Sequence, residues 1–451
     1  MRLLICCEFY APSIGGVQEV IRQISERMVK RGHEVIVATT QLVNRTFTEL
    51  HGVHIEGFSV VGNGARGMKG EIKRYQDFVV NAEVDAILIK AAQQWTFDAL
   101  WPVLDRIKAR KVFIPCGFSG LYQPAYTSYF KQIPDILRSF DHLIFYASQY
   151  RDIDFVLNHG MHHFTIIPNG ASEAEFEVPG DPFFRQRYNI PEESFLFLTV
   201  GSLTGMKGHL ELAEAFAKLN TGNRPAVLLL NGNFPAPLLA TAGSKYKESK
   251  EQQKQLRRFI DFISQVREAL LIKGWSCLIE LTVSFMERKL TLFPVKRIPL
   301  KFANPLQYWI KKANKQFPLK QTLLLDLPRD ELIQAFKNAD LFVFASNIEY
   351  SPLVLFESAA AGTPFLSVPV GNAEEIAEWT GCGIICPGNV NSKGYTRVSP
   401  KVLATHMKDV MNSPHLLKEL GQRGYNRWKE KYSWAKIIVD YEKILAGKPV
   451  E

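Results

Sequence analysis

One strand–loop–helix unit in the second half of the chain most constrains its fold. The apolar run Leu341–Ala345 predicts a short buried strand, and Val354–Ala361 predicts a helix that Gly362 ends. Ser351-Pro352 opens this helix, because Ser is a common N-cap and Pro suits the first helical position. Units of this kind build parallel sheets that carry helices on both faces.

Two carboxylates flank the start of this helix. Glu349 lies in the loop after the strand, and Glu357 lies eight residues later on the helix. The unpaired N–H groups between them favour a phosphate, and carboxylates accept hydrogen bonds from hydroxyl groups. The arrangement suits a ligand with a sugar at one end, a diphosphate in the middle and a ribose at the other end.

The same unit occurs at the N-terminus. Arg2–Cys7 predicts a strand, Val17–Arg31 an amphipathic helix and Glu34–Thr39 the next strand. Gly15-Gly16 lies at the carboxyl end of the first strand, where glycine lets the backbone approach a ligand closely. A doubly wound sheet is therefore expected in the first half of the chain.

A third unit begins with the apolar strand Phe195–Val200 and continues into the helix His209–Leu219. The loop between them carries Lys207, which is flanked by Gly205 and Gly208. A flexible glycine-flanked loop with one lysine at the carboxyl end of a strand suits a diphosphate.

Length and composition limit the class of protein. With 451 residues and 46% hydrophobic content, the chain predicts a globular protein of two domains. The N-terminal apolar run is too short for a signal peptide, and no apolar run is long enough to span a membrane. The six Cys show no CxxC spacing, so we expect reduced thiols in a cytoplasmic protein and no zinc site or disulfide framework.

Together these motifs resemble the retaining glycosyltransferases of the GT-B fold, of the group 1 or family 4 type. The Glu-x7-Glu motif runs into an Ala-rich helix that is followed by Gly-Thr-Pro. The family's glycine loop is matched by Pro12 and Gly15-Gly16. Its Lys-Gly motif is matched by Lys207, and its Ile-Pro-Asn-Gly turn is matched by Ile167–Gly170. The resemblance covers about 1–232 and 321–447. It implies an α/β protein with two facing Rossmann-like, doubly wound domains and the donor in the cleft between them.

The expected domain boundaries combine this resemblance with the sequence pattern. Residues 1–175 form the acceptor-side domain, and 176–193, rich in Glu, Pro and Gly, form a linker. Residues 194–432 form the nucleotide-sugar-binding domain, with a helical, basic insertion at 233–320. Residues 433–451 contain a C-terminal helix that crosses back to the first domain.

The resemblance also implies the roles of the site residues. Glu357 takes the ribose hydroxyls, Glu349 holds the donor sugar, and Lys207 stabilises the leaving diphosphate together with the helix start and the glycine loop. No metal ion and no cofactor are expected. The catalytic residues are Glu349 and Lys207, and the donor-binding residues are Gly15, Gly16, Ser202, Lys207, Ser351, Pro352, Leu353 and Glu357.

Two positions depart from the family pattern. Ser202 stands where the family has Arg, which removes a positive charge from the diphosphate site. Cys116 stands where many members have a His close to the donor sugar, which weakens the case for acid–base chemistry at this position. Cys116 is a candidate residue on the sugar side, and a small buried residue is the alternative. Asp152 and Asp154 form an Asp-x-Asp sequence, but they fall in a predicted helix and are interpreted as solvated charges.

The insertion accounts for the positive charge of the chain. Residues 233–320 contain 17 Lys and Arg and 6 Asp and Glu, whereas the remainder contains 37 and 39. Basic residues mixed with Phe293, Phe302, Tyr308 and Trp309 suit an anionic membrane surface or an anionic acceptor. A solvated helical subdomain is the plainer alternative. The same composition would also suit nucleic acid, which is not an expected partner.

The expected function is transfer of a sugar from a nucleoside-diphosphate sugar to a glycan or a lipid-linked acceptor. The expected location is the cytoplasm, or the inner face of the membrane as a peripheral protein. The alternatives are a non-catalytic nucleotide-sugar-binding or scaffold protein, and a nucleotide-sugar epimerase or phosphorylase on the same fold.

Overall fold

Two parallel β-sheets organise the chain, one in each domain. The computed structural model describes residues 1–233 and 304–450, and helices are numbered here within those residues. Both sheets consist of apolar strands that are buried on both faces, as in β11 (Phe195–Val200), where four successive side chains are at most 1% exposed.

The first sheet has eight strands in the order β10-β9-β8-β7-β1-β2-β4-β3, and only the edge strand β3 is antiparallel. Its strands are β1 (Arg2–Cys6), β2 (Glu34–Thr40), β3 (Glu49–Leu50), β4 (Val53–Phe58), β7 (Ala86–Lys90), β8 (Arg110–Ile114), β9 (His142–Phe145) and β10 (Phe164–Ile166), and a separate hairpin is formed by β5 (Val60–Asn63) and β6 (Gly67–Gly70). The helices are α1 (Gly16–Lys30), α2 (Ile72–Val80), α3 (Trp95–Asp98), α4 (Thr127–Arg138) and α5 (Arg151–Asn158), with 3-10 turns at Trp101–Arg106 and Pro124–Tyr126.

The second sheet has six parallel strands in the order β13-β12-β11-β14-β15-β16. Short helices α6 (Glu173–Phe176) and α7 (Phe184–Arg187) precede it. The strands after β11 are β12 (Ala226–Asn231), β13 (Lys320–Leu325), β14 (Leu341–Phe344), β15 (Phe365–Ser367) and β16 (Gly383–Ile385), with a small hairpin of β17 (Asn389–Val390) and β18 (Thr396–Arg397). The helices are α8 (His209–Lys218), α9 (Pro305–Asn314), α10 (Arg329–Asn338), α11 (Leu353–Ala360), α12 (Ala373–Thr380), α13 (Pro400–Met411), α14 (Pro414–Arg427) and α15 (Trp434–Leu445), and a π-helical turn spans Trp428–Tyr432.

Both strand orders reverse at the first strand of the domain. In the first sheet β1 lies between β2 and β7, and in the second sheet β11 lies between β12 and β14. In a doubly wound sheet, ligands bind at the carboxyl ends of the strands beside such a reversal. The predicted α/β architecture of two doubly wound domains is confirmed.

The last helix belongs spatially to the first domain. Trp434, Ile437 and Tyr441 of α15 are at most 4% exposed and pack in one apolar cluster with β1 and α1. Glu442 binds His33 at 2.6 Å and also pairs with Arg31. The C-terminal helix therefore packs on the first domain, although it follows the second domain in the sequence.

The end of the predicted insertion is placed differently by the structure. Helix α9 lies between β12 and β13 and packs against α8, and its Trp309 is 7% exposed within the apolar core of the second domain. Residues 304–320 therefore belong to the domain rather than to an insertion, because α9 is the crossover helix between two parallel neighbours. The rest of the predicted insertion, 234–303, lies outside the described residues.

Asp152 is also placed differently. The predicted solvated carboxylate is fully buried on α5, while Asp154 on the same helix is exposed. Asp152 accepts hydrogen bonds from the N–H groups of Gly117 at 2.7 Å and Ile153 at 3.0 Å. Within 1–233 and 304–450, no helix is long and apolar enough to cross a membrane.

Candidate functional site

A cleft of about 870 Å³ lies where the carboxyl edges of the two sheets face each other. Its walls come from loops that follow β1, β7 and β8 in the first domain and β11 and β14 in the second. All ten residues predicted for the site line it, namely Gly15, Gly16, Cys116, Ser202, Lys207, Glu349, Ser351, Pro352, Leu353 and Glu357. The structure therefore brings together positions that are up to 342 residues apart in the sequence.

Lys207 and Glu349 form an ion pair in this cleft. Lys207 Nζ lies 2.5 Å from Glu349 Oε1, and Ser346 Oγ donates to the same oxygen at 3.0 Å. The loop that carries Lys207 is held close to β14 by Gly208, where a Cβ atom would lie 1.8 Å from the Ala345 carbonyl oxygen and φ is +69°. Only glycine tolerates that approach, so Gly208 fixes the position of the Lys207 ammonium.

The start of α11 differs by one residue from the prediction. Pro352 is the N-cap and Leu353 is the first helical residue, so Ser351 precedes the cap. Among the described residues, the buried Ser351 Oγ makes no hydrogen bond. Ser351 and Leu353 both line the cleft, and Leu353 Cδ1 would lie 3.8 Å from a Cβ atom on Gly16. The glycine loop of the first domain thus faces the first turn of α11.

Glu357 has an arginine partner that the sequence prediction did not assign to the site. Arg329 Nη2 lies 2.7 Å from Glu357 Oε1 and 2.7 Å from Glu175 Oε2. Burial alone lowers the pKa of Arg329, but the carboxylates of Glu357 and Glu175 raise it above its ordinary value. One signal in the sequence could have assigned Arg329 to the site. It directly follows Pro328, shortly after the carboxyl end of the apolar strand β13.

The two positions that depart from the family pattern also lie in the cleft. Ser202 follows β11 on the wall that carries Lys207, and Cys116 follows β8. Burial raises the pKa of the Cys116 thiol, although the nearby Lys90 works in the opposite direction. The role of Cys116 on the sugar side of the cleft stays a prediction.

Tyr350 joins the cleft to the first domain and was missed by the sequence prediction. Its hydroxyl accepts the N–H of Tyr146 at 3.1 Å and interacts with the carboxylate of Asp152. Burial raises the pKa of Asp152 to about 6. The Tyr150 hydroxyl donates to the Glu349 carbonyl at 2.7 Å. These contacts hold the segment Glu349-Tyr350 against the first domain.

Lys90, the last residue of β7, is a further cleft residue that the prediction missed. Its signal in the sequence is a single charge at the end of the apolar run Ala86–Ile89. As for metal ions, the described residues contain no group of three or more His, Cys, Asp or Glu side chains placed to hold one. Metal independence stays a prediction.

Known proteins share the fold of the described chain. Residues 302–427 match the family model "Glycosyl transferases group 1". No curated protein sequence matches the chain. Sucrose-phosphate synthase from Thermosynechococcus elongatus is 15% identical, with a TM-score of 0.64 over 99% of this chain and 100% of that chain.

Two further structures have the same architecture over 99% of this chain and 100% of their own. They are an Anabaena protein, HepE, in complex with UDP and glucose, with 13% identity and a TM-score of 0.63, and WaaG, a glycosyltransferase involved in lipopolysaccharide biosynthesis, with 16% identity and a TM-score of 0.60. At these identities the likeness establishes the fold alone. The match to residues 302–427 adds a likeness in sequence to the group 1 glycosyl transferases, and the expected GT-B fold is confirmed.

Proposed function

We propose that this protein is a retaining, metal-independent glycosyltransferase that moves a sugar from a nucleoside-diphosphate sugar to a glycan or a lipid-linked acceptor. The observation that carries the proposal is the meeting of Lys207, Glu349 and the first turn of α11 in one interdomain cleft. A cation and a helix N-terminus favour a diphosphate, and carboxylates favour hydroxyl groups. The Anabaena neighbour, which was solved with UDP and glucose, supports the same class of donor.

In the proposed reaction, the bond between the anomeric carbon and the diphosphate oxygen breaks while the acceptor oxygen bonds to that carbon. Negative charge grows on the departing diphosphate, where Lys207 and the start of α11 lower the barrier. The acceptor attacks from the face that the diphosphate leaves, which retains the configuration. The acceptor proton passes to the departing phosphate.

The ion pair between Lys207 and Glu349 has a role before the donor arrives. Lys207 is 29% exposed and Glu349 is 16% exposed, so each charge is partly withdrawn from water. Their contact holds both side chains in the cleft without a ligand. When the donor binds, Lys207 is shared between the diphosphate and Glu349, and the second oxygen of Glu349 is left for the sugar hydroxyls.

The proposal is tested first by binding and then by turnover. We expect a screen of UDP-, GDP- and ADP-sugars by thermal shift to identify a stabilising donor, since a ligand at 100 times its Kd adds about 2.7 kcal/mol to the unfolding free energy. Donor hydrolysis and product analysis then separate the alternatives. Binding without turnover would favour a scaffold, and an isomerised nucleotide sugar would favour an epimerase.

The decisive variant is Glu349→Ala. It should reduce transfer by on the order of 100-fold or more while the unfolding free energy changes little, because the carboxylate acts in the transition state. Glu378→Ala, an exposed glutamate of the same domain, is the matched control and should keep normal turnover. Normal turnover by the Glu349 variant would contradict the assignment.

A further inference from the structure

Lys90 is a buried cation without a negatively charged partner. It is 1% exposed, and its ammonium bonds the Tyr146 hydroxyl and lies 4.7 Å from the centre of that ring. No carboxylate pairs with it in the part of the chain that the structure describes. A hydroxyl and an aromatic face attract an ammonium group but do not neutralise its charge, so the burial of this charge is unusually costly.

The other two buried cations of the described chain are held differently. Arg45 donates to three backbone carbonyl groups, those of Ala11, Thr40 and Tyr10. Lys320 donates to the Ala217 carbonyl at 3.1 Å and lies away from the cleft. Both have acceptors built into the fold. Lys90 instead has a hydroxyl partner that can donate or accept, and it lines the cleft.

The backbone around Lys90 is strained in a way that points to function. Of the six non-glycine residues with positive φ among the described residues, four lie in the adjacent loops after β7 and β8. They are Ala91 at 72°, Gln93 at 64°, Cys116 at 60° and Phe118 at 45°. Each such residue costs roughly 1–3 kcal/mol, and such strain concentrates at ligand sites.

The two strained loops form one unit. The N–H of Ala91 donates to the Ile114 carbonyl at 2.8 Å, and the N–H of Ala92 donates to the Pro115 carbonyl at 3.1 Å. Lys90 and Cys116 consequently meet on the same part of the cleft wall, in the first domain. This wall faces the second domain, whose Lys207 and Glu357 are proposed to hold the diphosphate and the ribose.

We propose that Lys90 binds an anionic group, a carboxylate or a phosphate, that a substrate carries at the sugar end of the cleft. This inference rests on the proposed function, which supplies the ligand. Either of two substrates could carry this anionic group. The donor would carry it as the carboxylate of a transferred uronate, and the acceptor would carry it as a phosphate or a carboxylate. The ammonium then gains the negative partner that residues 1–233 and 304–450 do not provide, and its burial strengthens the attraction between the two charges. Burial also lowers the pKa of Lys90, which agrees with a site whose cation is stabilised only when an anion binds.

Calorimetry with two pairs of probes tests the inference. In the donor arm, UDP-glucuronate is compared with UDP-glucose. In the acceptor arm, glucose 6-phosphate is compared with glucose, with UDP at saturation. The wild type should bind the anionic member of one pair about tenfold or more tightly, since a hydrogen bond to a charged group has that order of strength. The arm in which the preference occurs identifies the source.

Three variants test whether Lys90 causes the preference for the anionic ligand. Lys90→Met, which keeps the length and apolar stem, should lose it, and Lys90→Arg should keep part of it. Lys320→Met is the matched control, because it removes a buried lysine outside the cleft and should leave the preference unchanged. UDP alone should bind all variants with the affinity of the wild type, which also reports that each variant is folded.

Two results would overturn the inference. One is an anionic-to-neutral affinity ratio that is the same in Lys90→Met as in the wild type. The other is a wild type without preference in either arm while UDP binds normally. If none of UDP, GDP and ADP binds the wild type, the proposed function fails first, and the role of Lys90 fails with it.

Discussion

At the scale of single residues, Lys207 has the most direct role in the proposed chemistry. Its ammonium is 2.5 Å from Glu349 Oε1, and this ion pair fixes its position in the cleft. Ser202, on the same wall of the cleft, carries no charge. Arg329 is already paired with two carboxylates. Of the cations that line the described cleft, Lys207 is therefore the one best placed to stabilise the diphosphate.

Lys207→Ala should raise the donor KM and slow the chemical step. The loss of one charged hydrogen bond, about 1.5–3 kcal/mol, corresponds to roughly a 10- to 150-fold decrease in kcat/KM. Steady-state kinetics with the donor found by thermal shift measures it, and Lys401→Ala on the exposed side of α13 is the control. An unchanged kcat/KM would remove Lys207 from the site.

Asp152 makes the stability of the protein depend on pH. Burial raises its pKa from 3.8 to about 6. Because the folded state holds the proton more tightly than the unfolded state, the stabilisation is fully present below pH 3.8 and is lost as the pH rises through about 6. Relative to Asp152→Asn, the wild type should be more stable at pH 4.5 than at pH 7.5 by about 2 kcal/mol.

Urea unfolding of both proteins at the two pH values gives this difference. Asp154→Asn, on the exposed side of the same helix, is the matched control and should not reproduce the pH dependence. A difference between wild type and Asp152→Asn that is independent of pH would mean that the Asp152 carboxylate is ionised throughout this range in the folded protein.

At the scale of elements, the loop after β8 and the loop before α11 pack directly on each other. A Cβ atom on Gly117 would lie 3.0 Å from Tyr350 Cγ and 3.0 Å from Tyr150 Cε1. Both tyrosines hold the segment that carries Glu349, through the contacts with Tyr146 and with the Glu349 carbonyl. The absence of a side chain at Gly117 therefore allows the loop that carries Glu349 to pack at this position.

Gly117→Ala should displace that loop and lower kcat/KM by roughly 10- to 100-fold, since small misplacements of catalytic groups have effects of this size. Gly160→Ala is the matched control, because its φ is also positive, at +69°, but no atom lies within 4 Å of the added methyl group. Both variants should lose about 1 kcal/mol or more of stability from the backbone conformation. Equal kcat/KM values for the two variants would show that the contact with Tyr350 is not needed.

The elements themselves could be predicted because their signals are local. The spacing of apolar residues places α1 at Gly16–Lys30 and β11 at Phe195–Val200 within one residue of the predicted start. Burial by residues that are distant in the sequence leaves no local signal, so it could not be predicted. Asp152 looks like a solvated helix residue until Tyr350, about 200 positions later, covers it. Trp309 looks like a membrane-facing aromatic until α9 packs against α8.

The difference between local signals and contacts with distant residues also explains which site residues could be predicted. The ten predicted residues stand in motifs whose order along the chain carries the information, and all ten line the cleft. Lys90 and Arg329 stand outside those motifs. Their importance depends on what surrounds them, namely the absence of a carboxylate near Lys90 among the described residues and the presence of two beside Arg329. Such relations exist only in three dimensions.

At the scale of the whole molecule, two structures link the domains beside the cleft. Helix α15 crosses to the first domain, where Arg110 Nε donates to the Ile444 carbonyl at 2.8 Å. A chain of charges runs from α1 to α11: Arg22 lies 3.7 Å from Glu175, and Arg329 joins Glu175 to Glu357. Glu357 is thereby connected to the first domain through ionic contacts.

The basic segment 234–303 carries most of the net positive charge of the chain. It follows Asn233, which lines the cleft after β12, and it carries 13 Lys and Arg and 6 Asp and Glu. We expect this segment to bring the enzyme to a bilayer with anionic lipids, because each basic residue near such a surface contributes about 1 kcal/mol. A lipid-linked acceptor would then be presented next to the bound donor.

Co-sedimentation with vesicles tests this role. The full chain should sediment with vesicles that contain phosphatidylserine and should remain in solution with pure phosphatidylcholine or at high salt, since the attraction is electrostatic and screened. A variant that joins Asn233 directly to Asn304 should lose the binding, and its thermal shift with the donor reports whether its cleft is intact. If that deletion sediments with anionic vesicles as well as the full chain does, the segment does not anchor the enzyme, and an anionic acceptor becomes the better explanation of its charge.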